Sequence, residues 1–115
     1  MTDTMRALIG GRGPIWEIDE IAIPEPGSGQ VLIRNRASAI NNADLPMLDD
    51  ADPTNGGSGK EFTAGFEYAG EIARVGEDAG DWQVGDPVMG TFPGAFADYL
   101  VTDPRFVLPR PETLA

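Results

Sequence analysis

Two short stretches of this sequence carry the side chains with the greatest potential for chemistry. AGFEYAG, residues 64–70, holds a single carboxylate, Glu67, among glycines, alanines and two aromatic rings. NNAD places the amide of Asn41 and the carboxylate of Asp44 three residues apart, at an expected strand-to-helix junction. A buried carboxylate needs a partner, because unpaired burial costs several kcal/mol. Glu67 is therefore either a structural acid tied to the backbone or an arginine, or a catalytic acid.

The residue types that are missing exclude several kinds of active site. The chain has no cysteine and no histidine, so it offers no thiol nucleophile, no Ser-His-Asp triad and no zinc site of the usual kind. GGSGK, residues 56–60, lacks the first glycine and the final Ser or Thr of a phosphate loop. The acids Asp49, Asp50 and Asp52 lack the spacing of a calcium loop, and a solvated loop is the better interpretation. We expect no bound metal.

The length and net charge of the chain limit its possible size class and partners. The 115 residues suggest one domain, 1–115, and carry 19 acids against 8 bases, a net charge of −11. Such a charge repels phosphate backbones and anionic lipid, so neither nucleic acid nor a membrane is an expected partner. No segment approaches the length of a membrane span, and the expected location is cytoplasmic.

Short β-rich runs, cut by Gly, Pro, Asn and Asp, predict an all-β sandwich or barrel. The expected strands cover residues 5–9, 15–23, 30–40, 66–75, 87–92, 95–101 and 106–109. In the second run, the mostly apolar set Trp16, Ile18, Glu20 and Ala22 is predicted to face the core. Gly70 predicts a bulge or a close backbone approach.

One short helix is expected in NNADLPMLDD, residues 41–50. Asn41 or Asn42 could cap it, and Pro46 limits it to one or two turns. The glycine-rich stretch that follows, residues 51–60, is predicted to be a loop.

Three segments together resemble a known family. PEPGSGQVLIRNRASAINNADL, AGFEYAGEIARVGEDAGDWQVGDPVMG and GAFADYLVTD occur in the order and spacing of the N-terminal part of medium-chain dehydrogenase/reductases. The resemblance covers residues 5–111. It implies a mainly β fold, a GroES-like, partly open β-barrel with one short helix, and no Rossmann domain within this chain.

The same resemblance points to the zinc-independent branch. Zinc-dependent members carry a cysteine ligand where Asn41 stands and a histidine ligand where Phe66 stands. Neither an amide nor a benzyl group replaces those ligands. The chain is therefore similar to quinone oxidoreductases and enoyl reductases, in which NADPH delivers hydride to a quinone or an activated double bond.

The resemblance also implies a role for each residue that matches the family's pattern. The resemblance implies that Asn41 lies near the nicotinamide and contacts the substrate oxygen. Asp44 would order the strand–helix junction, Phe66 would wall the substrate pocket where zinc would otherwise sit, and Glu67 would stand behind it. No proton donor is identified, since residues 50–61 contain no tyrosine.

The family's nucleotide-binding half has no counterpart within this sequence, so NADPH is expected to bind mainly to another domain. Three readings stay open: a fragment of a two-domain oxidoreductase, a natural subunit completed by a separate nucleotide-binding chain, or a non-catalytic module that binds a small molecule or a protein. A barrel face left exposed would favour a homodimer or a separate nucleotide-binding subunit as partner.

Overall fold

Eight strands in two antiparallel sheets make up the computed structural model, which describes residues 3–40, 46 and 50–111. The strands are Thr4–Gly10 (β1), Glu17–Ala22 (β2), Val31–Ala39 (β3), Phe62–Thr63 (β4), Glu67–Val75 (β5), Pro87–Thr91 (β6), Tyr99–Thr102 (β7) and Val107–Pro109 (β8). Two 3-10 turns, Pro53–Asn55 and Pro104–Phe106, precede β4 and β8. The sheets do not close on each other, and the expected mainly β, partly open barrel is confirmed.

The larger sheet has the strand order β7-β3-β5-β6-β8, and the smaller has the order β2-β1-β4. In the larger sheet, β3 and β5 are the longest strands, and they pair along most of their length. Their register shifts twice, and one shift lies between Asn35 and Ala37, opposite Gly70. A Cβ atom on Gly70 would lie 2.0 Å from the carbonyl oxygen of Arg34, which confirms the close backbone approach expected there.

Residues 95–98 join the two sheets. The amide of Leu8 in β1 donates to the carbonyl of Phe96 (2.8 Å), and the amide of Asn35 in β3 donates to the carbonyl of Asp98 (2.8 Å). This segment was expected to be the start of a long strand. It instead pairs with β1 along residues 96–98 and reaches β3 through the carbonyl of Asp98, so it links the two sheets before β7 begins.

The core lies against the inner face of the larger sheet. Apolar side chains from five of its strands and from two loops form one buried cluster: Val31, Ile33, Tyr68, Ile72, Ala79, Val88, Ala95, Leu100 and Val107. Val31, Ile33 and Val88 are fully buried. Since these residues recur at alternate positions along β3 and β5, the pattern predicted from the sequence positions both strands correctly.

The prediction for the buried face of β2 was wrong. Ile18 is 73% exposed, whereas Ile21 and Ile23 are half-buried. The reason is the register: Ile21 pairs with Met5 of β1, which is buried, whereas Ile18 pairs with Leu8 on the opposite face. A shift of one residue in a strand exchanges its two faces, and the pairing with β1 decides between them.

The stretch after β3 is more ordered than expected for a loop. Asp52 was predicted to be solvated, but it is 4% exposed and caps the turn Pro53–Asn55 by accepting a hydrogen bond from the amide of Thr54 (2.9 Å). The predicted helix falls on residues 41–50, of which the structure describes Pro46 and Asp50, both with helical backbone. Within the described part of the chain, no helix is both long and apolar enough to cross a membrane.

Candidate functional site

The neighbouring ends of β3 and β5 position the candidate site. Ala39, the last residue of β3, pairs with Glu67, the first residue of β5, and Glu67 pairs on its other side with Thr91 of β6. Glu67 is half-buried rather than fully buried. Among the described residues its carboxylate has neither a hydrogen-bond partner nor an ion pair, so neither a backbone group nor an arginine of this region holds it.

Phe66 lies just before β5 and is also half-buried. Its carbonyl accepts a hydrogen bond from the amide of Phe92 (2.7 Å), which ties the start of β5 to the end of β6. Its side chain is not part of the buried core cluster. Phe66 and Glu67 therefore lie next to each other at the start of β5, at the rim of the larger sheet.

Gly65 sets the direction in which the chain enters this rim. Its φ of +98° lies in the left-handed region, and a Cβ atom there would lie 2.5 Å from Cδ1 of Phe96. Its carbonyl accepts hydrogen bonds from the amides of Gly94 (3.0 Å) and Ala95 (3.3 Å). Glycine is required here for both its conformation and its size.

Asn41 and Asp44, the other two predicted site residues, lie outside the described residues. Their predicted roles, contact with substrate and nicotinamide for Asn41 and order at the junction for Asp44, stay predictions. The described chain ends on that side at Ile40, whose side chain is 74% exposed.

A polar network beneath the rim was not anticipated. The side-chain amide of Asn35 donates hydrogen bonds to the carbonyls of Ala95 (2.5 Å) and Ala97 (3.2 Å) and to Oγ of Ser38 (2.8 Å). Ser38 in turn donates to Ala95 (2.7 Å). The Oδ1 atom of Asn35 is buried and accepts no hydrogen bond from the residues that the structure describes. The network fixes the crossing segment 95–98 against the end of β3.

An open groove of about 340 Å³ lies beside this network. Its walls come from β1, β2, the end of β3 and the crossing segment, through Arg6, Ala7, Leu8, Ile18, Asn35, Arg36, Ala37, Ser38, Phe96, Ala97 and Asp98. Neither Phe66 nor Glu67 lines it. The groove is therefore separate from Phe66 and Glu67, the two predicted site residues that the structure describes.

Two ionisable groups near the site are held in fixed states. The hydrogen bond from Arg36 to Glu71 (2.7 Å) lowers the pKa of the Glu71 carboxyl. Burial raises the pKa of Tyr68 to about 12, and its hydroxyl donates to the carbonyl of Phe106 (2.9 Å). Tyr68 is 3% exposed and engaged in the core, so it cannot deliver a proton to a substrate at the rim.

The described residues contain no group of three or more carboxylates, histidines or cysteines close enough to hold a metal ion. The whole sequence lacks the thiolate and imidazole ligands that a catalytic zinc site uses. The described part of the site offers instead a half-buried aromatic ring and a half-buried carboxylate.

The sequence of the chain matches the alcohol dehydrogenase GroES-like domain over residues 27–112. This chain belongs to that family. The match confirms the resemblance to the N-terminal domain of medium-chain dehydrogenase/reductases, because the similar proteins include reductases of that superfamily. The matched region includes Phe66 and Glu67.

Several curated relatives are named as reductases or oxidoreductases. Prostaglandin reductase-3 of Bos taurus is 36% identical over 91 residues, which are 77% of this chain and 23% of that protein. Trans-enoyl reductase BOA5 of Botryotinia fuckeliana (strain B05.10) is 33% identical, over 96% of this chain and 30% of that protein. Quinone-oxidoreductase QR1, chloroplastic, of Triphysaria versicolor is 31% identical, over 84% and 30%. The chain thus spans less than a third of the length of each of these three relatives.

Solved structures have the same fold as this chain. The human synaptic vesicle membrane protein VAT-1 homolog-like protein superposes with a TM-score of 0.85 at 26% identity, over 98% of this chain and 37% of that one. Almost two-thirds of that structure has no counterpart in this chain. The GroES-like domain is the part that the two proteins share.

The sequence analysis did not predict the network around Asn35. The alternating pattern within GAFADYLVTD predicts a strand over residues 95–101, and the crossing at residues 95–98 is not evident from it. A signal was nevertheless present: Asn35 interrupts an otherwise apolar alternation in β3. A polar side chain at an inward position of a strand calls for buried partners.

Proposed function

We propose that this chain is the substrate-binding half of a zinc-independent, NADPH-dependent oxidoreductase that reduces quinones or activated C=C or C=O bonds. The nucleotide-binding domain would be either a further part of the same protein or a separate chain. The observation that carries the proposal is the family match over residues 27–112. The resemblance, which implies that Asn41 and Phe66 stand where zinc-dependent members have two ligands, supports the zinc-independent branch.

The relatives support the reaction class. They include a quinone oxidoreductase, a trans-enoyl reductase and a prostaglandin reductase. The chemistry that these names have in common is the reduction of an electron-poor carbon–carbon or carbon–oxygen double bond, and we propose the same chemistry for this chain. The chain has none of the thiolate or imidazole ligands that a zinc-bound alkoxide would need.

The rim residues would bind and orient the substrate. Phe66 offers an apolar face at the pocket wall, and Asn41 would donate a hydrogen bond to the substrate oxygen as negative charge develops on it. Glu67 would stay behind the wall and keep the local field negative, which disfavours anionic substrates. These roles apply to a neutral, flat, apolar substrate such as a quinone or an enone.

NADPH would supply the hydride when bound. In the described residues, no strand–glycine turn–helix unit of the kind that holds a dinucleotide pyrophosphate is present, and the two 3-10 turns are three residues long. The chain is therefore expected to contribute one side of the nicotinamide pocket, through Asn41 and the rim, and little affinity of its own.

The test is a chimera in which residues 1–115 replace the matching N-terminal region of the Triphysaria quinone oxidoreductase, compared with the chain alone. NADPH oxidation is followed with a panel of quinones and enones. We expect turnover from the chimera and none from the chain alone. A chimera that melts cooperatively and binds NADPH, yet reduces no member of the panel, would contradict the proposal.

The same panel of compounds distinguishes the proposed oxidoreductase from the alternative, a non-catalytic binding module. That module would raise its melting temperature with one of the quinones, enones or acyl thioesters in the absence of NADPH, while the chimera stays inactive. For the reductase, we expect the chain alone to show at most weak shifts, because half of the substrate pocket would belong to the other domain.

A further inference from the structure

The two sheets separate where β7 begins, and an apolar cavity lies in the gap. Up to that point the chain follows β1: Ala97 bridges Ala7, and the amide of Asp98 donates to the carbonyl of Arg6 (3.1 Å). From residue 99 onward it pairs as β7 with β3 instead. The gap opens between the first residues of β1 and those of β7, and its volume is about 410 Å³.

The walls of this cavity come from both sheets and from the loop after β6. They include Met5 of β1, Ile21 and Ala22 of β2, Phe62 of β4, Pro93 of the loop and Leu100 of β7. Met5 is 6% exposed and Leu100 is 3% exposed, so part of the wall belongs to the buried interior. The volume lies within the range of about 300–1,000 Å³ that is usual for small-molecule sites.

The walls carry no charge. None of the described residues that border the cavity is Asp, Glu, Lys or Arg, although these types make up 23% of the sequence. An adjoining hollow shares Pro24 and Tyr99 with the cavity, and it is bordered by two carboxylates and one guanidinium, those of Asp3, Glu25 and Arg74. A ligand inside the cavity must be apolar, because a charge there would lose its water without gaining a partner.

We propose that this cavity binds a neutral, mainly apolar small molecule of bicyclic size. The affinity comes from the hydrophobic effect, because the rings of the ligand leave water and contact Met5 and Leu100. A hydroxyl group on the ligand can face the adjoining hollow, whereas a carboxylate in that place would be repelled by the excess of negative charge. Neither Phe66 nor Glu67 borders the cavity, so this site does not depend on the proposed oxidoreductase function.

A small molecule fits the cavity better than a second copy of the chain does. A second copy would have to insert an exposed apolar side chain, and each copy carries a net charge of −11. Ile18, which is 73% exposed, lies between Glu17 and Asp19, so its insertion would bring two carboxylates against an uncharged wall. A neutral small molecule brings no such charge.

The experiment titrates 2-naphthol into the 115-residue chain, labelled with carbon-13 at its methionine methyl groups. Met5 borders the cavity, whereas Met89 of β6 does not and serves as the internal control. We expect a saturable shift of the Met5 signal with a Kd of about 0.1–1 mM. A nuclear Overhauser effect should join the Met5 methyl group to the ring protons. 2-Naphthoate should bind about tenfold more weakly, because it is repelled by the negative charge beside the cavity.

Two variants localise the binding. Ala22→Trp, at an exposed position of the cavity wall, should fill the opening and weaken 2-naphthol binding about tenfold or more. Val84→Trp, at a position that is 70% exposed and does not border the cavity, should leave the Kd unchanged. The shift and the Overhauser effect at Met5 are measured on the unmodified chain, so they test the proposal even where Ala22→Trp fails to fold.

Four results would overturn the proposal. They are the absence of an Overhauser effect at Met5, equal shifts of the Met5 and Met89 signals, unchanged binding in folded Ala22→Trp, and a Met5 shift that grows with protein concentration without ligand. The last result would identify a second copy as the occupant. The Met5 signal is also followed in the chimera with the Triphysaria quinone oxidoreductase. We expect the same shift there, and its loss would show that another part of the longer protein fills the cavity, which also contradicts the proposal.

Discussion

The side-chain amide of Asn35 binds the carbonyl of Ala95, 60 residues later in the sequence, at 2.5 Å. This hydrogen bond, with its companion to Ala97, fixes the segment that joins the two sheets. The end of β3 is held to this segment, and on β5 it pairs as far as Glu67, the residue that follows Phe66.

Replacing Asn35 by Asp should destabilise the fold by about 2–4 kcal/mol at neutral pH, because a carboxylate cannot donate and would face two carbonyl oxygens. Burial beside those carbonyls should raise the pKa of the new carboxyl above its unfolded value. The penalty should therefore grow as the pH rises from about 4 and shrink below it, where the acid can donate. Urea unfolding at pH 4 and pH 7 measures both effects.

Gln83→Glu is the control for Asn35→Asp, since it adds the same charge at an exposed position. We expect it to change the free energy of unfolding by less than about 0.5 kcal/mol. Equal losses in the two variants would show that added negative charge, rather than the lost donor, determines the result.

Gly65→Ala should destabilise the fold by more than about 2 kcal/mol, because strain from the positive φ and overlap with Phe96 act together. Gly80→Ala separates the two causes: Gly80 has a similar φ of +92°, and a Cβ there meets no atom within 4 Å. We expect a loss of about 1 kcal/mol for Gly80→Ala. Chemical denaturation of the two variants checks the difference, and equal losses would exclude a contribution from Phe96.

The sequence identifies the local elements better than their faces and connections. Alternation of apolar residues places β3 and β5 to within one or two residues, because the core imposes period two on both. It fails at β2, where burial depends on pairing with β1 rather than on the strand's own pattern. It also fails at residues 95–98, where tertiary hydrogen bonds end a strand-like sequence. Phe66 and Glu67 could be located from their family pattern, whereas the groove required the relative placement of two sheets.

The contacts of Arg12 should make the stability of the fold depend on pH in the acid range. Its guanidinium donates to Asp19 (2.8 Å) and Glu61 (2.7 Å), and the hydrogen bond from Arg12 holds the pKa of the Asp19 carboxyl below its ordinary value of 3.8. A lowered folded-state pKa gives stability that is present above the unfolded pKa and is lost as the pH falls through the folded one. Arg12→Met should therefore lower the melting temperature at pH 6 and flatten its decline between pH 4 and pH 2.5.

Arg74→Met serves as the comparison for Arg12→Met. Arg74 lies 3.9 Å from Glu25, and both side chains are largely exposed. Because such a pair is screened by solvent, its removal should leave the slope of melting temperature against pH unchanged. A slope that flattens equally in both variants would show that general charge, not the Arg12 contacts, governs acid unfolding.

Phe66→Ala should destabilise the chain by about 1–2 kcal/mol, less than the 3–5 kcal/mol typical of a fully buried phenylalanine. The reason is that Phe66 is half-buried and lies outside the core cluster. Ile33→Ala, at a fully buried position, should cost about 2–5 kcal/mol and calibrates the comparison. A loss of more than 3 kcal/mol at Phe66 would place its ring in the core and remove it from the pocket wall.

Phe66→His tests whether the rim could hold zinc once a single ligand is restored. The variant would contain one imidazole and no thiolate, whereas a catalytic zinc needs three protein ligands. Glu67 is the adjacent carboxylate, and the described residues offer no group of three ligands around it. We therefore expect far less than one zinc per chain after dialysis of the tag-free variant, measured by elemental analysis beside the unmodified chain. Stoichiometric zinc would show that Phe66 does not stand where the zinc-independent assignment places it.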